Sequence, residues 1–203
     1  LMVDISKLVQ DALSLRDVPF PEVVEATTGH KVLPIDPEDA EDAALVKAVE
    51  KAANAYLKVG KRIGRVYKGK DPSNISRPLE VEFVEEMGKS GLDVTHLAGS
   101  GYPDHRMTYA KSKVCCFETK VTPQMGTGSA RSFYYSTGKK IDADGHHLLI
   151  GWEITEEAPG HYVPTHWRLV DLYHLNVGLK AEFNADNLAI YDDDLLLTKG
   201  PVE

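Results

Sequence analysis

The apolar residues of this chain change period along its length. Ile5, Leu8, Val9, Ala12 and Leu13 recur at three- and four-residue steps and predict a short first helix. Residues 17–36 keep no period and are Pro-rich, which predicts an irregular stretch with a turn at Thr27-Thr28-Gly29-His30. Asp36-Pro37-Glu38-Asp39 reads as a helix start, with Asp36 as the cap, Pro37 in the first position and acids in the first turn. Leu45, Val49, Ala52, Tyr56, Val59 and Ile63 carry that helix to about 59–65, where Gly60 and Gly64 loosen its end. Gly69 to Ser76 is a polar linker. Leu79, Phe83 and Met87 then mark the buried stripe of a helix over 78–88, opened by Pro78 and closed by Gly88.

Beyond residue 103 the period falls to two. Segments 104–109 and 114–121 predict a hairpin turning at Ala110 to Lys113. His147 to Ile154 is a core strand, and Tyr162 to Leu175 is another, interrupted near Pro164. Arg131 to Ile141 reads as a helix or a strand. Pro123 to Arg131 reads as a Gly-rich loop whose amides can meet phosphates, and Asp192-Asp193-Asp194 as a turn between apolar strands. The class is α/β in the mixed α+β sense. One domain over 1–203 divides into an N-terminal helical element, 1–75, and a core, 76–203.

The strand over 114–121 carries the chemistry. Alternation points Glu118 and Lys120 the same way, with Phe117, Thr119 and Val121 facing the other way. A hairpin can bring Asp104, which follows Pro103, beside Glu118. Two adjacent carboxylates repel unless a cation lies between them or one is protonated. Mg²⁺ suits such a pair because it prefers oxygen ligands and keeps several waters. It would activate a water and stabilise charge on a phosphorane, and Lys120 would orient that water or neutralise the phosphate. A third carboxylate is expected from the helix over 78–88: Glu86 lies beside the buried stripe and Glu82 a little further out. Taken singly, the Pro-Asp pair is a turn and the Glu-Lys pair a solvated ion pair. Their joint spacing is what singles them out.

Pro103-Asp104 followed by Glu118-Thr119-Lys120 resembles the PD-(D/E)xK signature of the restriction-endonuclease-like nucleases. The motif covers 103–120, and compatible patterning extends over about 78–175. The resemblance implies a metal held by Asp104, Glu118 and the main-chain carbonyl of Thr119, with Lys120 as the catalytic lysine. It implies a restriction-endonuclease-like core, a mixed sheet of four to five strands flanked by helices. The implied activity is Mg²⁺-dependent hydrolysis of double-stranded DNA, with Mn²⁺ able to substitute, leaving 5′-phosphate and 3′-hydroxyl ends. A type II restriction enzyme fits a small chain without helicase or methylase motifs, and symmetric cutting of a duplex favours a homodimer. A repair or mobile-element nuclease is the neighbouring reading. A non-catalytic nucleic-acid-binding or assembly protein of the same fold is the competing one.

Composition adjusts this picture at two points. The formal net charge is −8, against the basic surface a DNA-binding protein needs. Local clusters answer it: Lys58, Lys61, Arg62, Arg65, Lys68 and Lys70 occur without an acid between them, and Lys111 with Lys113 and Arg131 with Lys139 and Lys140 form two smaller groups. The adjacent Cys115 and Cys116 oppose each other on a strand and exclude a disulfide framework, which suits a reducing cytoplasm. No apolar run reaches membrane-spanning length. His146 and His147 point opposite ways, and His161, His166 and His174 lack a zinc spacing with either cysteine. Phe133, Tyr134, Tyr135, Trp152 and Trp167 read first as core and second as platforms for bases.

Overall fold

The computed structural model describes residues 4–123, 133–136 and 138–179. The chain divides into two compact units, 1–18 with 177–203, and 19–176. In the smaller unit, helix α1 (Ile5–Ser14) is capped by Asp4, whose carboxylate accepts from the Lys7 N–H. Leu179 N–H donates to Leu15 O within the same unit.

The larger unit runs in chain order through α2 (Phe20–Thr28), β1 (Val32–Leu33), α3 (Ala40–Ile63), β2 (Tyr67–Lys68), a 3₁₀ turn, α4 (Ser76–Lys89), β3 (Asp93–His96), β4 (His105–Tyr109), β5 (Lys113–Thr122), β6 (Gly145–Ala158) and β7 (His161–Asp171). Among the described residues the sheet has seven strands, ordered β2-β7-β6-β5-β4-β3, with β1 pairing parallel to the start of β6. β5 and β6 are parallel; β3-β4, β4-β5, β6-β7 and β2-β7 are antiparallel. This is a curled mixed sheet flanked by helices. Its five longer strands fit the expected four to five, and β1 and β2 are additions drawn from the N-terminal stretch.

Several boundaries differ from the sequence reading. The Pro-rich stretch 17–36 is not irregular: Pro21 sits in the first turn of α2, and Gly29, at φ 76°, closes it in the left-handed conformation. Asp36 does not cap α3. Residues 37–39 form a turn first, and the Asp39 carboxylate accepts from the Glu41 and Asp42 N–H groups. Gly60 is still helical, and Gly64 supplies the left-handed cap. β7 ends at Asp171, and Leu172–His174 is a 3₁₀ turn, because Asp171 accepts from the Tyr173 N–H. The irregularity at Pro164 is a register shift between Glu153 and Ile154 on the partner strand, which absorbs the missing N–H. Residues 133–136 are neither helix nor strand. The Gly-rich stretch 124–131, with Arg131, and Asp192-Asp193-Asp194 lie outside the described residues.

Alternation along β5 and β6 assigns the two faces of the sheet. Cys115 and Phe117 on β5, with Leu148, Ile150 and Trp152 on β6, pack against Leu45, Val49, Ala52 and Tyr56 of α3 and Leu79, Phe83 and Met87 of α4. The Phe83 ring stands 4.9 Å from Trp152. The opposite face carries Cys116, Glu118 and Lys120, and His147 there meets Phe20 of α2 and Tyr102 in an aromatic cluster. Both thiols are buried.

Candidate active site

β5 enters the site from a buried sheet centre. Glu118 is 3 % exposed, while Lys120, two residues on, has reached the edge. The two point the same way, as alternation requires, and Lys120 Nζ donates to Glu118 Oε1. The register partner of Lys120 on β6 is Gly151, which has no side chain to crowd it. Thr119 faces the other way, its hydroxyl buried without a hydrogen-bond partner, so only its main chain is available here.

Asp104 reaches the same place from the loop that joins β3 to β4. Leu97 N–H donates to Asp104 O at 2.9 Å, closing this loop, and Asp104 N–H donates to Glu118 Oε2 at 3.1 Å. Lys140 fastens the loop from the side, donating to the carbonyls of Gly101 at 2.8 Å and Pro103 at 3.1 Å. Asp104, Glu118 and Lys120 therefore meet at one end of the sheet. Burial pushes the Glu118 carboxyl up to about 7. The Lys120 ammonium works against that shift, and the neighbouring Asp104 carboxylate adds to it.

The two helix carboxylates expected here have other partners. Glu86 pairs with Lys89 at 3.0 Å, and Glu82 accepts from Arg65 at 2.8 Å and from the Tyr67 hydroxyl. Both are committed elsewhere. Glu80, on the same helix, stands 3.5 Å from His105 Nε2 and feels the charges of Asp104 and Lys120. Its pKa is raised by burial and by Asp104, with Lys120 acting the other way. On a wheel of about 100° per residue, Glu80 and Glu86 flank the Leu79-Phe83-Met87 stripe by about 60° on opposite sides. The stripe alone does not separate Glu80 from Glu86, and the sequence reading took Glu86 and then Glu82.

Two histidines that the sequence reading did not connect lie close by. His105 opens β4 next to Asp104, is 3 % exposed, and has its Nε2 at 3.5 Å from Glu80 Oε1. His96 is its register partner on β3, with ring centroids 5.2 Å apart. No sequence signal joins them, because the eight-residue loop between them sets the register.

Not every basic candidate is available to a phosphate. Arg65 stacks 4.3 Å over the Tyr56 ring and pairs with Glu82, and Lys113 pairs with Asp39, Glu41 and Asp42. Lys58, Lys61, Arg62, Lys68, Lys70, Lys111 and Lys139 are exposed.

The chain belongs to the type II restriction enzyme MjaV family, whose model matches residues 13–194. It is a type II restriction endonuclease by that membership. Among individual proteins, it is similar to the type II restriction enzyme MjaV of Methanocaldococcus jannaschii, at 29% identity over 205 residues, covering 90% of this chain and 89% of that one. No solved structure matches. No helix among the described residues is long and apolar enough to cross a membrane.

Proposed function

We propose that the chain is a PD-(D/E)xK nuclease with a restriction-endonuclease-like core, hydrolysing phosphodiester bonds of double-stranded DNA with Mg²⁺, for which Mn²⁺ can substitute. The observation that carries this reading is the junction of Asp104 and Glu118, with Lys120 donating to the second of them. The donors fit a hard divalent cation: Asp104, Glu118 and the Thr119 carbonyl offer oxygen alone. The raised Glu118 pKa fits too, since burial beside another acid is what a cation would relieve. Bound there, Mg²⁺ would supply charge stabilisation and a more acidic water.

The chain's own residues divide the remaining work. Lys120 Nζ holds the Glu118 carboxylate and is the donor next to where an attacking water must sit. Lys140 positions the Asp104 loop through the Gly101 and Pro103 carbonyls. Exposed lysines, not the net charge, bind the duplex backbone. A homodimer would supply two such sites for the two strands. A reducing cytoplasm is the compartment we propose, consistent with two buried free thiols. The test is plasmid cleavage with Mg²⁺, with chelator, and with the Asp104→Ala variant. Nicking and linearisation that vanish with chelator, and that fall about 10²–10⁴-fold in the variant, support the reading. Cleavage unaffected by chelator would overturn it.

A further inference from the structure

We propose that Glu80, His96 and His105 form a second cation site beside the Asp104–Glu118 pair, built for a divalent metal that accepts nitrogen ligands, such as Mn²⁺, Co²⁺, Ni²⁺ or Zn²⁺. The three side chains come from three elements: Glu80 from α4, His96 from the end of β3 and His105 from the start of β4. One donor atom from each lies within 4.8 Å of the others. Metal bonds of about 2.1 Å put donor atoms roughly 3–3.5 Å apart. Glu80 Oε1 and His105 Nε2, at 3.5 Å, already stand at that separation. Their distance is long for a hydrogen bond and suits two ligands of one ion. Only the exposed His96 has to close in.

The register makes the pair of rings a built feature. His96 and His105 are directly opposed across an antiparallel pair, so their side chains share a face. That face is the one on which α4 packs, and Glu80 projects from α4. His105 is almost wholly buried, with its Nε2 held toward Glu80.

The donor set defines the ligand class. Two imidazole nitrogens and one carboxylate suit first-row transition metals and zinc, whereas Mg²⁺ prefers oxygen throughout. Three protein ligands leave positions open for water or a phosphate oxygen. The site stands on its own donors, and only its place next to a nuclease centre rests on the function proposed above. Asp104 adjoins both sites, next to His105 in the chain and with its N–H on Glu118 Oε2.

Co²⁺ titration of the full chain tests this, because nitrogen ligation and low coordination number give visible bands far more intense than those of a six-coordinate all-oxygen site. One equivalent is expected to develop bands that are lost in His96→Ala and in Glu80→Gln and kept in Glu118→Gln. His96 is exposed, so its variant folds, and far-UV circular dichroism checks each protein. Pulsed EPR of bound Mn²⁺ should show imidazole nitrogen couplings that disappear in His96→Ala. Bands or couplings that survive in both His96→Ala and Glu80→Gln, or that never appear in the wild type, overturn the site. The nuclease reading fails separately: plasmid cleavage that survives in Asp104→Ala removes it and leaves the Co²⁺ spectrum in place.

Discussion

Glu118 is an acid held against its own ionisation. Its folded pKa of about 7 lies above the ordinary 4.5, chiefly because burial penalises the charged form. The metal-free folded protein therefore binds this proton more tightly than the unfolded chain. The stabilisation is fully present below pH 4.5 and is lost as pH rises through about 7. His105 and His147, both lowered to about 4 by burial, act in the opposite sense: their contribution is full above 6.5 and is lost as pH falls toward 4. A raw stability curve mixes the two. The difference between wild type and Glu118→Gln isolates the carboxylate. Urea unfolding without metal should show the wild type losing on the order of 2 kcal/mol relative to the variant between pH 4.5 and 7.5. Added Mg²⁺ should restore most of it by favouring the ionised form. A difference independent of pH would mean that Glu118 does not titrate in this window.

α4 is the element that joins core to site. One face packs Phe83 against Trp152, Tyr56 and Phe117, and an adjacent position carries Glu80. Phe83→Ala should cost about 3–5 kcal/mol in urea unfolding, because the ring is fully buried between α3 and the sheet. A loss below about 1 kcal/mol would mean that α4 is not seated as described. The same helix shows what a sequence reveals. Its stripe was legible, since three large apolar residues at four-residue steps have one physical reading. The choice between Glu80 and Glu86 was not, because they flank the stripe symmetrically. The proximity of Asp104, Glu118 and Lys120 was legible because alternation on β5 and a short hairpin fix their relation. Strands β1 and β2 were not: two residues carry no period, and they exist only because β6 and β7 offer them an edge. The His96–His105 pair required a register that only the folded loop between β3 and β4 provides.

At the scale of the whole molecule, an acidic protein must hold a polyanion. The formal charge of −8 opposes association, and exposed cations such as Lys61, Arg62 and Lys68 offset it locally. If the active form is a homodimer, as proposed, sedimentation should give twice the chain mass at micromolar concentration; a monomer that still makes double-strand breaks in one binding event would contradict it. The claim beneath all of this is that Lys120 acts in cleavage, not merely in holding DNA. The most direct measurement is single-turnover cleavage of a plasmid by Lys120→Ala at saturating Mg²⁺, alongside its DNA affinity. The account predicts a cleavage constant lower by about 10²-fold or more with affinity changed only a few-fold. A variant that cuts at the wild-type rate would contradict it.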